Sequence, residues 1–210
     1  MTDHATPAQY LPGMGKSWLL PLYDPLTRLL GMPAVHRDLV DRAQLAPRMR
    51  VLEIGCGTGN VALTVKRRHP DVEVTGLDPD PAALAKGRRK AARAGVELRL
   101  DQGYAQALPY PDATFDRVLS SLMFHHIDPA DRPRALREAW RVLAPGASLH
   151  LLDFGGAAHG PMRRSRLLRD HVDGRIPELM REAGFAEACE IGQRSTRVGR
   201  CTFWKARKAA

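Results

Sequence analysis

The chain has 210 residues, of which 44% are hydrophobic and 26% charged, and its formal net charge is +9. This length and composition are typical of one globular domain of moderate size. No segment approaches the roughly 18 apolar residues that a membrane-spanning helix needs, and MTDHATPAQY at the start has neither the basic nor the apolar region of a signal peptide. We therefore expect a cytoplasmic protein.

The cysteines and the basic residues do not indicate disulfide bonds, a zinc site or nucleic-acid binding. Cys56, Cys189 and Cys201 form no CxxC pair, which argues against a disulfide framework and a zinc site. The densest basic groups, KGRRK at 86–90 and RRSRLLR at 163–169, contain no aromatic residues on which bases could stack. A nucleic-acid partner is therefore disfavoured, whereas an acidic substrate or a membrane surface remains an alternative.

The N-terminal part of the chain predicts an arm followed by helices. Residues 1–32 include an apolar stretch, SWLLPLYDPLTRLLGM, that two prolines interrupt, so short helical pieces are predicted there. We expect 1–32 to be an arm and lid, with 10–30 closing over the acceptor pocket. A helix with one apolar face is predicted over 33–45, at the start of a main domain spanning 33–210.

From residue 49 onward, predicted strands alternate with predicted helices. The strands are expected at 49–55, 72–78, 96–103, 115–122, 146–154, 185–191 and 199–206, and the helices at 58–68, 80–94, 131–143 and 175–184. This alternation predicts an α/β fold with a parallel, doubly wound sheet and helices on both faces. Such sheets bind ligands beyond the carboxyl ends of their strands.

Three glycines follow the first predicted strand directly, in VLEIGCGTGN at 51–60. Glycine tolerates unusual dihedrals and lets a ligand approach the main chain. A dinucleotide fingerprint would need a third glycine at position 60, which is Asn60, and a phosphate-binding P-loop would need a Lys-Ser/Thr pair, which is absent. The spacing therefore disfavours phosphate recognition, and with it a dinucleotide oxidoreductase.

Two acidic residues narrow the choice of ligand. Glu53 would repel a phosphate but suits a cationic or amine-bearing ligand. Asp78 ends the second predicted strand, where a carboxylate can accept hydrogen bonds from a ribose diol. S-adenosylmethionine, an adenosine joined to a sulfonium and an amine, satisfies both residues.

At this point the sequence resembles the class I S-adenosylmethionine-dependent methyltransferases. Five segments carry the resemblance, in consistent order over about residues 35–206: VLEIGCGTGN, GLDPD, DQGYAQALPYPDATFDRVLSSLMFHHI, EAWRVLAPGASLHLLDF and LMREAGFAEACEI. LYDPLTRLLGM before them is similar to a segment of the ubiquinone/menaquinone-biosynthesis type, the subgroup that the chain most resembles. The resemblance implies a Rossmann-like sheet of seven mostly parallel strands with an antiparallel last strand, and an N-terminal helical lid. It also implies transfer of a methyl group from S-adenosylmethionine to oxygen, carbon or nitrogen of a small-molecule acceptor, leaving S-adenosylhomocysteine.

The resemblance also implies which residues hold the cofactor. The glycines would line its methionine and ribose part, Glu53 its amine and Asp78 its ribose hydroxyls. The residues expected to contact it are Glu53, Gly55, Cys56, Gly57, Thr58, Gly59, Asp78, Pro79, Gly103, Tyr104, Ala105, Ser121 and Leu122. Thr58 is also expected to cap the following helix.

The adenine contact departs from the family pattern. The family's Gly-Asp-Ala, whose aspartate accepts from the adenine amino group, is here Gly103-Tyr104-Ala105. A tyrosine is not ionised at neutral pH, although its hydroxyl can accept a hydrogen bond and its ring can stack. Asp101 is the alternative acceptor.

His125, His126 and Asp153 are the candidate catalytic residues, and no metal is expected. Methyl transfer is an in-line displacement that mainly requires alignment and exclusion of water. A base is needed only when the nucleophile arrives protonated, and an imidazole can then take the proton. Alternatively, the histidines only shape their loop, and Asp153 either orients a substrate or makes a turn contact. The aromatic residues expected to wall the acceptor pocket, or to pack in the core, are Tyr10, Trp18 and Tyr23.

Two other functions remain at this stage. The replacement of the family aspartate by Tyr104 would be consistent with a cofactor-binding regulator, or with an inactive homologue that no longer methylates. An RNA or protein methyltransferase would suit the basic charge, but SSLMFH stands where an RNA enzyme would carry Asn- or Asp-Pro-Pro-Tyr. We therefore expect a small-molecule acceptor as the partner and a monomer or homodimer.

Overall fold

The computed structural model describes residues 20–155, 174–197 and 199–210, which form a mixed β-sheet between two layers of helices. The strands are β1 (Arg50–Ile54), β2 (Glu73–Asp78), β3 (Arg99–Gln102), β4 (Phe115–Ser121), β5 (Leu143–Phe154), β6 (Glu187–Thr196) and β7 (Gly199–Arg207). The helices are α1 (Leu20–Leu29), α2 (Met32–Arg42), α3 (Asn60–Arg68), α4 (Pro81–Arg93), α5 (Arg132–Val142) and α6 (Ile176–Glu182), with a short 3-10 helix at Phe124–His126.

The strand order is β3-β2-β1-β4-β5-β7-β6. The five strands from β1 to β5 pair in parallel, and β7 pairs antiparallel with both β5 and β6. This confirms the predicted Rossmann-like sheet with its antiparallel last strand. The chain winds from β1 toward β3 on one side and then returns to β4 on the other, so β1 and β4 form the switch point at which such sheets bind ligands.

Each face of the sheet buries its own apolar cluster. On one face, Val51 and Leu119 pack with α2 and α3, and on the other, Leu52 and Val118 pack with α5 and α6. Because side chains alternate along a strand, a strand buried on both faces is apolar at nearly every position. None of the helices among the described residues combines the length and apolar character that spanning a bilayer requires.

Several element ends differ from the predicted ones. Helix α3 begins at Asn60 with Gly59 as its N-cap, so the prediction that Thr58 caps this helix is wrong. Gly59 has a φ of 72°, a left-handed conformation that glycine adopts without strain. Helix α1 continues through Pro25 for ten residues, where shorter pieces were predicted.

His36 generates a prediction about acid stability. It lies on α2 with 9% of its surface exposed, and burial, followed by the positive charge of Lys90, lowers its pKa to about 4. A histidine with a lowered pKa binds fewer protons in the folded than in the unfolded protein, so its contribution to stability is full above the unfolded pKa and falls as the pH decreases from about 6.5 toward 4. Relative to His36→Met, the wild type should lose about 1.5 kcal/mol of unfolding free energy between about pH 6.5 and pH 5. Urea denaturation followed by circular dichroism across this range measures the difference, and a constant difference would contradict the prediction.

Candidate functional site

The turn from β1 to α3 lies at the carboxyl edge of the sheet, beside the end of β2. The backbone N–H of Gly55 donates to the carbonyl of Leu77 at 2.8 Å. A Cβ atom on Gly55 would lie 2.1 Å from Cγ of Met123, whereas one on Gly57 would meet no atom within 4 Å among the described residues. The turn is therefore closed by protein at Gly55 and open at Gly57, where a ligand can approach the main chain.

Glu53 lies beneath this turn, with 2% of its surface exposed. Its carboxylate accepts a hydrogen bond of 2.8 Å from the backbone N–H of Ala62, in the first turn of α3. Burial raises the pKa of Glu53 to about 8; the Ala62 hydrogen bond opposes this rise and the negative charge of Asp78 adds to it. A cationic group bound nearby would favour the ionised carboxylate.

Asp78 joins the end of β2 to the same turn. Its carboxylate accepts from the backbone N–H of Gly57 at 2.7 Å and from that of Asp80 at 2.9 Å. Only 8% of the residue is exposed, and burial raises its pKa. Because an ionised carboxylate has about four lone-pair positions, it retains acceptor capacity for ribose hydroxyls.

The segment expected at the adenine follows β3 directly. The backbone N–H of Gly103 donates to the carbonyl of Asp78 at 3.2 Å, which places the segment beside Asp78. Tyr104 is half-buried in a turn, and Ala105 is part of the core. The carboxylate of Asp101 is already bonded to the hydroxyl of Tyr110 at 3.1 Å, and also to Arg99. The structure therefore gives Asp101 a structural role and leaves Tyr104 at the position of the family aspartate.

The end of β4 provides the third side of the site. Ser121 is partly buried, and its hydroxyl oxygen has no hydrogen-bond partner in the described part of the chain. Leu122 has a φ of 53°, a left-handed conformation that costs a leucine free energy. Such backbone conformations occur preferentially at functional sites. This turn directs the following residues, including Met123, over the glycine turn.

His125 and Asp153 form a buried pair at the ends of β4 and β5. Nδ1 of His125 lies 2.7 Å from Oδ1 of Asp153, and Asp153 is fully buried. The carboxylate also accepts from the backbone N–H groups of His125 at 3.0 Å and Phe154 at 2.7 Å. The His126 ring centroid lies 4.1 Å from that of His125. An ionised Asp153 is an acceptor only, so Nδ1 donates the proton and Nε2 is the basic nitrogen of His125.

The remaining predicted site residues are placed as follows. Cys56 is buried, and burial raises the pKa of its thiol well above the ordinary value, which agrees with a packing role. The Pro79 carbonyl accepts from the Gln102 side chain at 3.2 Å. The Thr58 hydroxyl donates to Asp24 at 2.8 Å instead of capping α3. Among the predicted pocket walls, Tyr10, Trp18 and the side chain of Tyr23 lie outside the described residues.

Asp24 was missed by the sequence analysis. It lies on α1, 8% exposed, and its carboxylate accepts from Thr58 and Asn60 beside the glycine turn. The one feature of the sequence that could have indicated Asp24 is that it is the single acidic residue in the otherwise apolar segment LYDPLT.

Comparison with known proteins agrees with this geometry. Residues 51–146 match the family model described as a methyltransferase domain. A demethylmenaquinone methyltransferase of Thermus thermophilus is 43% identical over 141 residues, which cover 66% of this chain and 63% of that protein. Another, of Deinococcus radiodurans, is 40% identical over 167 residues, covering 77% of this chain and 68% of that protein. The chain belongs to the S-adenosylmethionine-dependent methyltransferases.

A solved structure shows the same fold. The S-adenosylmethionine-dependent methyltransferase of Aquifex aeolicus superposes with a TM-score of 0.71 at 18% identity, over 91% of this chain and 98% of that one. The chain covers less than two thirds, 63%, of the length of the Thermus protein.

Family membership confirms the predicted enzyme class and its cofactor, S-adenosylmethionine, and the residues present fit that cofactor. The buried carboxylates of Glu53 and Asp78 would suit its amine and its ribose, and the open side of Gly57 would let it approach the main chain.

Glu53 generates a prediction about ligand binding. With a pKa of about 8 it is mostly protonated in the free protein at pH 7, and a bound ammonium group should lower that pKa and release about one proton. Calorimetric titration with S-adenosylhomocysteine at pH 7, in buffers of different ionisation enthalpy, counts the protons released. Glu53→Gln is the control, because a glutamine of the same shape cannot release a proton. Binding to the wild type without proton release would contradict the prediction.

Proposed function

We propose that this protein transfers a methyl group from S-adenosylmethionine to a small, planar, quinone-like or other aromatic acceptor. The observation that carries the proposal is the pair of buried carboxylates, Glu53 and Asp78, on either side of a glycine turn with an open face. The acceptor class is supported by the two relatives, which are named demethylmenaquinone methyltransferases.

The cofactor supplies a methyl group bonded to a sulfonium sulfur. When that carbon–sulfur bond breaks, the rest of the cofactor leaves as a neutral thioether. An acceptor carbon or hydroxyl oxygen that gains this methyl group must lose a proton. We assign that proton to Nε2 of His125, whose Nδ1 is held by Asp153 at 2.7 Å. The carboxylate fixes the ring orientation and stabilises the imidazolium that forms, as in other His–Asp pairs. The remaining requirements are alignment of the acceptor with the methyl group and exclusion of water.

We also propose that residues 1–32 form the arm and lid, ahead of a methyltransferase domain at 33–210. The burial of Asp24 against the start of α3 supports the position of α1 beside the cofactor site. A monomer or homodimer in the cytoplasm, with no nucleic-acid partner, remains our prediction from the sequence.

A transfer assay with methyl-labelled S-adenosylmethionine tests the function. Reduced quinones and simple phenols should become labelled, whereas RNA and a protein mixture should not. Label in RNA would identify an RNA enzyme. Binding of S-adenosylhomocysteine without transfer to any acceptor would favour the alternative, a cofactor-binding regulator.

His125 generates a prediction about rate. His125→Gln should lower kcat by on the order of 10²-fold or more, because the acceptor proton then has no base. Affinity for S-adenosylhomocysteine should not change. His126→Gln is the matched control, since Nδ1 of His125 is the nitrogen that lies 2.7 Å from Asp153, and this variant should retain most of the turnover. Full turnover by His125→Gln would remove this residue from catalysis and leave alignment as the mechanism.

A further inference from the structure

Asp24 connects helix α1 to the beginning of α3. Its Oδ1 atom accepts from Oγ1 of Thr58 at 2.8 Å and from Nδ2 of Asn60 at 3.0 Å, and it lies 3.2 Å from Nζ of Lys90. Its Oδ2 atom lies 3.0 Å from Nζ of Lys86. Only 8% of Asp24 is exposed, so these contacts lie between packed elements.

The partners of Asp24 are part of the glycine turn and of α4. Thr58 and Asn60 flank Gly59, and Nζ of Lys90, on α4, also contacts the carbonyl of Thr58 at 3.0 Å. One carboxylate thus joins α1, the turn and α4. Thr58 is itself 2% exposed, and Nζ of Lys90 also donates to its hydroxyl at 3.2 Å. Loss of Asp24 would therefore remove the acceptor of the Thr58 hydroxyl proton at a buried position.

The carboxylate of Asp24 is stabilised in its charged form. Burial alone would raise its pKa, but hydrogen bonds from Thr58 and Lys86 and the charge of Lys90 lower the pKa to about 2. Buried ion pairs of this kind seldom add much net stability, because desolvation of the charges opposes their attraction. Their better-supported effect is to select one arrangement of the elements that they join.

Two adjacent residues of the glycine turn differ: Gly57 has open space beside it, and Thr58 is hydrogen-bonded to Asp24. A Cβ atom on Gly57 would meet no atom within 4 Å among the described residues, so that side of Gly57 is open, while its N–H donates to the Asp78 carboxylate at 2.7 Å. Thr58, the next residue, is anchored on Asp24. The turn is therefore held by Asp78 through Gly57 and by Asp24 through Thr58 and Asn60, in a conformation that leaves one side of Gly57 open.

We propose that Asp24 is a positioning residue for the cofactor site: it keeps the glycine turn in the conformation that binds the cofactor and couples α1 to that conformation. The proposal rests on the proposed function, since it takes the open side of Gly57 as the place where S-adenosylmethionine binds. When only a fraction of the molecules has the binding conformation, the apparent Kd rises by the inverse of that fraction.

Two variants and their combination test the coupling. Asp24→Asn and Thr58→Val should each raise the Kd for S-adenosylhomocysteine by about tenfold, corresponding to a binding-competent fraction of about one tenth. Asp24→Asn removes the charge of the acceptor and Thr58→Val removes the donor of the same hydrogen bond, so the double variant should lose less affinity than the product of the two single losses. Asp41→Asn is the matched control. It removes an exposed ion pair with Arg68 at the other end of α3, and its Kd should equal that of the wild type.

A kinetic measurement separates positioning from a general loss of structure. With Asp24→Asn, KM for S-adenosylmethionine should rise by about the same factor as Kd, whereas kcat at saturation should be unchanged because the His125–Asp153 pair is not altered. Thermal unfolding of each variant confirms that it is folded. If Asp24→Asn does not fold, the changes in Kd, KM and kcat of Thr58→Val alone test the proposal.

Three results would overturn the proposal: wild-type affinity in Asp24→Asn, equal weakening in Asp41→Asn, or losses that multiply in the double variant. In each, the wild type still binds, so the proposed function stands. Failure of the wild type to bind S-adenosylhomocysteine would instead overturn the proposed function, and this inference with it.

Discussion

Burial of the carboxylates of Glu53 and Asp78 at the ends of two adjacent parallel strands is the constraint around which the site is built. A buried carboxylate is costly unless hydrogen bonds or an opposite charge compensate for its lost water. In the free protein, backbone N–H groups of α3 and of the glycine turn provide part of that compensation. The raised pKa of Glu53 shows that it is incomplete. A ligand with an ammonium group can supply the remainder, so the free energy that the fold leaves uncompensated favours binding.

The fold was largely predictable because its strands are buried on both faces. Val51 and Leu52 belong to opposite clusters, and such consecutive apolar residues stand out between polar helices in the sequence. The ends of elements were less predictable, because they depend on local backbone choices. At the start of α3, threonine is a residue type that commonly serves as an N-cap. Here the Thr58 hydroxyl instead donates to Asp24, and Gly59 is the N-cap of the helix.

The candidate site was predictable where a residue follows a strand and unpredictable where two distant residues meet. Glu53 and Asp78 were expected at the ligand because each lies at a strand end. The pairing of His125 with Asp153 joins residues 28 positions apart, and that of Asp24 with Thr58 joins residues 34 apart. Motif spacing contains no information about such contacts. Asp153 was expected to orient a substrate or make a turn contact. Its carboxylate does accept from the backbone N–H groups of His125 and Phe154, and its further contact with the His125 ring was not predicted.

The net charge of +9 has the same sign as a cationic cofactor, and the distribution of charge explains how the site can still bind one. Among the described residues, the buried side chains that are ionised at neutral pH in their ordinary state are Asp24, Glu53, Asp78, Arg132 and Asp153, four of them acidic. All four carboxylates lie at the glycine turn or at the ends of β1, β2 and β5. Salt screens exposed charges over about 8–10 Å, whereas buried charges are screened much less. A ligand in the site therefore lies next to the carboxylate of Asp78 and to that of Glu53, which a bound cation favours in its ionised form, while the exposed lysines and arginines determine how the surface behaves toward other macromolecules.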